Sequence, residues 1–134
     1  MDYKKYPNRI LRHYLSMPFI YLMFIPMGFL DICLEIYHQV CFRLYKIPLI
    51  KRSMYIKIDR HKLQYLTWYE KIHCAYCGYA NGLAHYFTAI AAETEKYWCG
   101  IKHQKDPNFI PPEHHKYFLE YGDDNGYNNL ESKK

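Results

Sequence analysis

The chain reads as mainly α-helical: a kinked, membrane-associated N-terminal helix followed by a small helical metal-binding module. Three observations predict this. Residues 14–30, YLSMPFIYLMFIPMGFL, carry no charged side chain; apolar residues recur at three- and four-residue spacings from Leu63 to Tyr97; and Cys74 with Cys77 precedes Cys99 with His103 by about a helix length. With 50% hydrophobic residues but only seven prolines and six glycines in 134 residues, a collagen-like or wholly disordered chain is excluded, and the length suits one compact domain rather than two large ones. Composition shifts suggest three segments: a leader, membrane helix and linker over 1–52, the Cys/His module over 53–110, and a short helix with a polar tail over 111–134.

Lys4, Lys5, Arg9 and Arg12 form a basic leader to the apolar run. A helix over residues 14–30 is about 25 Å long, close to the roughly 30 Å of a hydrocarbon core. Ser16 is placed to cap it and Pro18 falls in its first turn, whereas Pro26 with Gly28 should bend it. Beyond the bend, Ile32, Ile36 and Val40 mark an apolar face with Cys33, Tyr37 and Cys41, and Asp31, Glu35 and His38 mark a polar one. A spanning helix that emerges into water, a bent helix lying in one leaflet and a buried core helix all satisfy this pattern. No small-x-small cleavage motif follows the run, so the expectation is that it is retained. Basic residues flank it on both sides, so the positive-inside rule sets no orientation. Pro48, Lys51 and Arg52 read as a linker, where each basic residue would favour anionic lipid by about 1 kcal/mol.

MYIKID, residues 54–59, alternates and predicts an extended segment, with Asp59 capping a helix from Arg60 toward Cys74. On it Leu63, Leu66, Glu70, His73 and Cys77 share a face. A second helix from about Ala80 to Trp98 aligns Leu83, Tyr86, Ile90, Glu93 and Tyr97, with Glu95 and Lys96 pointing elsewhere. His85 reads as a surface or packing residue. PPEHHKYFLEYG suggests a short helix begun by Pro111 and Pro112 and stopped by Gly122, its Glu113, His114 and His115 solvated, and DDNGYNNLESKK suggests a frayed tail.

The C-x-x-C-G of Cys74 and Cys77 and the C-x3-H of Cys99 and His103 together supply three thiolates and one imidazole, the donor set of a tetrahedral zinc, with Gly78 able to close the turn between sulfurs. A module of about sixty residues has a marginal core, and a structural metal adds folding free energy. Buried apolar cysteines are the plain alternative. Redox dithiol chemistry is another, although the βαβ setting of thioredoxin-like motifs is missing. Five cysteines cannot all pair within the chain, and reduced ligands imply a module facing the cytoplasm. Glu70 and Glu93, both expected to turn inward, could join His61 in a second, oxygen-rich site of the non-haem iron type, or could hydrogen-bond tyrosine hydroxyls or Arg60 instead. The E-x-x-H pairs Glu35/His38 and Glu70/His73 have the spacing of di-iron bundles, but nothing clearly supplies the fourth glutamate.

The stretches DRHKLQYLTWYEKIHCAYCGYANGL and TEKYWCGIKH resemble a family of small bacterial proteins with a hydrophobic N-terminal segment. The resemblance is specific at YCGYANG and YWC-x-IKH, departs at Gly100, where relatives often carry proline, and implies no activity. The functional expectation is a membrane-associated protein whose Cys3His zinc site serves interaction or assembly, with membrane lipid and another membrane or cytosolic protein as partners. The alternative is a membrane-bound metalloenzyme or redox protein using iron or an iron–sulfur cluster with His61, Glu70 and Glu93. A net charge of +5 and 19% aromatic residues suit nucleic acid too, but the Cys/His spacing differs from C2H2 fingers and no helix shows a basic reading face.

Overall fold

A computed structural model describes residues 7–131 and divides the chain into two compact units, Met1–Phe87 and Thr88–Lys134. Helices α1 (Arg9–Leu22), α2 (Phe24–Leu44), α3 (Trp68–Trp98) and α4 (Asp124–Glu131) dominate, and the described residues contain no β-strand. The mainly helical class and the bent N-terminal helix are as expected. Lys4 and Lys5 of the leader lie outside the described residues.

In the first unit, α1 and α2 form one bent apolar helix. Ile10–Leu44 is long and apolar enough, by length and composition, to cross a membrane, and only 6% of its most apolar window is buried. The bend lies at Met23, between α1 and α2, and its cause is Pro26. That residue has no N–H for the Leu22 carbonyl four residues back, and its ring crowds the same carbonyl. Because α1 already starts at Arg9, Pro18 sits inside it rather than in its first turn, and Ser16 does not cap it but donates to the His13 carbonyl at 3.1 Å.

The polarity of α2 is turned inside out relative to a helix of a water-soluble domain. Its apolar positions Ile32, Ile36 and Val40 are 64%, 61% and 52% exposed. Its polar positions are the paired ones: Arg52 grips both carboxylate oxygens of Asp31, Tyr79 donates to Asp31 at 2.9 Å, and Gln39 donates to Glu35 at 2.7 Å. His38 is buried against the rings of Phe42 and Tyr86. Its Nε2 accepts the Ile50 N–H at 3.0 Å, so a neutral ring carries its proton on Nδ1 and donates to the Tyr86 hydroxyl oxygen at 2.9 Å. Tyr86 then donates to Glu35 at 3.2 Å.

After α2 the chain reverses at Lys46 (φ 58°), makes a 3-10 turn over Arg52–Met54 and runs across α3. The crossing uses two glycines: a Cβ on Gly82 would stand 2.8 Å from Ile56 Cα and Tyr55 O, and one on Gly78 would stand 3.0 Å from Lys57 O. Residues 60–62 are a 3-10 turn, not the start of a long helix, and Asp59 makes no capping bond there. The helix starts at Trp68 because Thr67 caps it. The Thr67 carbonyl accepts from Lys71 at 3.0 Å, and the Glu70 carboxylate reaches back to the Thr67 N–H at 3.0 Å, as in a capping box. From Trp68 the helix continues unbroken for 31 residues, where two helices were expected. Gly78 lies inside it and closes no turn.

In the second unit α3 ends at Trp98 and Gly100 takes the left-handed conformation (φ 56°), its N–H bonded to the Glu95 carbonyl at 3.0 Å. The reversed chain sets Ile101 beside Leu119 in an isolated parallel bridge, with the Lys102 N–H on the Leu119 carbonyl at 2.8 Å. The Pro111–Pro112 segment leads into a 3-10 helix over Glu113–Tyr117, which stops short of the Gly122 expected to end it, because Phe118 turns extended and Leu119 enters the bridge. Ile90, His115 and Phe118 are buried. The tail is also more ordered than its polarity predicts. Asp123 accepts from the Gly126 N–H at 2.9 Å, and α4 covers Asp124–Glu131. Residues 132–134 lie outside the described residues.

Candidate metal centre

In the second unit the last turns of α3 present Glu95 to the chain folded back by Gly100. Both oxygens of this carboxylate are engaged by imidazoles: His114 Nε2 lies 2.8 Å from Oε2 and His115 Nε2 lies 3.0 Å from Oε1. Hydrogen bonding from His114 holds Glu95 below the usual carboxylate range; burial opposes this and His115 adds to it. His115 is fixed on several sides, stacked on Phe118 with ring centres 4.9 Å apart and edge-to-face with His114 at 4.7 Å. Its side chain is only 4% exposed, yet its Nδ1 is buried without a hydrogen-bond partner. A carboxylate beside Nε2 fixes the proton there, so Nδ1 of the neutral ring keeps a lone pair, the kind of buried acceptor that native structures rarely leave empty.

His103, exposed and set against Phe109, brings a second ring to within 5.6 Å of His115, centre to centre. One donor atom each from Glu95, His103 and His115 lie within 4.8 Å of one another. His103 and His115 also line a cleft of about 700 Å³ whose wall includes Lys102, Phe109 and Lys116. Two imidazoles and one carboxylate form a donor set suited to zinc or ferrous iron, and three protein ligands leave coordination positions open.

Cys74 and Cys77 stand one turn apart on α3 in the first unit, where they line, with His13 and His73, a separate cleft of about 280 Å³. Cys99 and His103 belong to the second unit, so the four expected zinc ligands are divided between the two, and all five cysteines are free thiols. Of the second expected set, Glu70 closes the N-terminus of α3 through Thr67, and Glu93, half-exposed, pairs with Lys96 at 2.5 Å. His61 is exposed on the 60–62 turn. The E-x-x-H residues are hydrogen-bonded: Glu35 and His38 meet at the Tyr86 hydroxyl, and His73 Nδ1 meets the Tyr21 hydroxyl at 2.7 Å.

Sequence reasoning missed Glu95, His114 and His115. Glu93 continues the face of Leu83, Tyr86 and Ile90, but the partner of this end of α3 is the returning chain, which meets Glu95 instead. The expectation that His114 and His115 are solvated fails for the same reason. A signal was available in TEKYWCGIKH. A glycine stop directly after the helix turns the following residues back over its last turns, where Glu95 sits five residues before Gly100 and His103 three after it.

No protein-family model, no curated protein and no solved structure matches the chain.

Proposed function

We propose that this is a membrane-anchored protein whose second unit binds a metal ion, zinc in the first instance, and serves interaction or assembly with another membrane or cytosolic protein. The observation that carries the anchoring is the inverted polarity of α2, with Ile32, Ile36 and Val40 outward and Asp31, Glu35 and His38 each paired inward. Water penalises the first arrangement, whereas hydrocarbon requires both, because ionisable groups at membrane depth must find partners within the protein. Metal binding is supported by the Glu95, His103 and His115 cluster, while Cys74, Cys77, Cys99 and His103 are the Cys3His set read from the sequence. Reduced cysteines favour a module facing the cytoplasm.

The full chain tests this directly. Membranes carrying it are washed with alkaline carbonate, and protein purified anaerobically in detergent is assayed for metal. Retention in the bilayer and one equivalent of zinc are expected. Release by carbonate overturns the anchor, and protein that neither carries nor takes up metal overturns the metal-binding reading. A visible absorption band with iron replaces zinc by the metalloenzyme alternative.

A further inference from the structure

We propose that Glu95, His103 and His115 form a divalent transition-metal site with at least one coordination position open to a small oxygen-donor ligand. The proposal rests on the metal-binding reading above and deepens it by naming donors and site type. Four observations carry it. The donor atoms are already gathered within 4.8 Å. The most enclosed of the rings, His115, has a side chain only 4% exposed, so its donor is held in place. Its Nε2 already lies 3.0 Å from Glu95 Oε1, the separation of two ligands on one metal ion. Finally, two of the three donors line the 700 Å³ cleft, so an exogenous ligand has access.

Metal bonds of about 2.0–2.2 Å place neighbouring donors roughly 3.0–3.6 Å apart, so filling the site draws the donors closer together. Glu95 and His115 are held by His114 and Phe118. His103 is exposed on the segment after Gly100 and is the donor that moves in. His114 keeps the second carboxylate oxygen and orients Glu95. The cleft selects its ligand through the metal more than through charge, since Lys102, Lys105 and Lys116 in its wall are balanced by Asp106, Glu113 and Glu120. This differs in kind from a closed Cys3His site, whose four protein ligands exclude a fifth group. His103 belongs to both sets and can serve only one at a time.

The test uses the full chain in detergent micelles. Zinc affinity is measured by competition with a chromophoric chelator for the native protein, Glu95→Gln, His115→Ala and Cys77→Ser, and cobalt is substituted to report coordination, with azide as the probe for an open position. The expected result is one equivalent of zinc, a ten-fold or greater loss of affinity in Glu95→Gln and His115→Ala, native affinity in Cys77→Ser, and a cobalt spectrum that shifts when azide is added. Glu95→Gln preserves shape at a partly exposed position and stands in if His115→Ala fails to fold. Loss of zinc in Cys77→Ser with retention in Glu95→Gln overturns this site while the metal-binding reading stands. A cobalt spectrum indifferent to azide overturns the open position. Native protein that takes no metal overturns both.

Discussion

Gly82 of α3 lies against the backbone of Ile56 so closely that a Cβ at position 82 would stand 2.8 Å from the Ile56 Cα. The contact explains why a residue with poor helix propensity occupies the middle of a long helix. Gly82→Ala gains up to about 1 kcal/mol of helix propensity but must push two backbones apart, and overpacking of this kind costs about 1–3 kcal/mol. Net destabilisation is expected in thermal unfolding in detergent. Gly28→Ala, where nothing lies within 4 Å, is the matched control and should be neutral or stabilising. Equal melting temperatures for the two variants would remove the crossing as the reason for Gly82.

The hydroxyl of Tyr86 joins Glu35 to His38 in the buried part of the first unit. Tyr86→Phe keeps the ring and its packing but leaves the His38 Nδ1–H without its acceptor, and an orphaned buried donor costs about 1–3 kcal/mol. A double-mutant cycle with Glu35→Gln should show coupling, because both changes break the same chain of hydrogen bonds. Strictly additive effects would mean that the three groups do not act together.

The outward position of Ile36 separates lipid from water as its surroundings. On a water-exposed surface Ile36→Lys changes stability by about 0.5 kcal/mol or less, whereas lysine near the centre of a membrane helix costs about 2.5–3.5 kcal/mol. The membrane-retained fraction after carbonate washing should therefore fall markedly in Ile36→Lys. A lysine variant retained as well as the native protein would argue that this face does not meet hydrocarbon.

The helical class and the bend were legible because both depend on local signals: an apolar run without charges, and a proline that denies a carbonyl its donor. The faces of α2 were legible too, since 3.6-residue periodicity sorts Ile32, Ile36 and Val40 from Asp31, Glu35 and His38. Which face turns inward was not, because periodicity has no sign; it took Arg52, Tyr79 and Tyr86, distant in sequence, to show that the polar side is the partnered one. Gly78 in a C-x-x-C-G pattern suits a turn, but glycine serves both for positive φ and for close approach, and only the Tyr55–Lys57 crossing distinguishes the two. Glu70 faces inward as its spacing predicts, but its carboxylate goes to the N–H of Thr67, three residues earlier, at the start of α3. Of the three donors only His103 was legible; its partners Glu95 and His115 depend on a chain reversal whose direction a single glycine decides.

That reversal can be tested alone. Gly100 has φ 56° and donates its N–H to the Glu95 carbonyl, and the bridge that follows puts the Lys102 N–H on the Leu119 carbonyl. Gly100→Ala should retain the turn at a cost of about 1–2 kcal/mol, the penalty of a Cβ in the left-handed region. Gly100→Pro cannot retain it, because the ring fixes φ near −65° and removes the donor. In hydrogen exchange the Lys102 amide should therefore be protected in the native chain, slightly less so in Gly100→Ala, and unprotected in Gly100→Pro. In the proline variant His103 also leaves Glu95, so zinc affinity should fall together with the protection. Were Gly100→Pro to keep the Lys102 amide protected, the left-handed residue would not be what folds His103 back over α3.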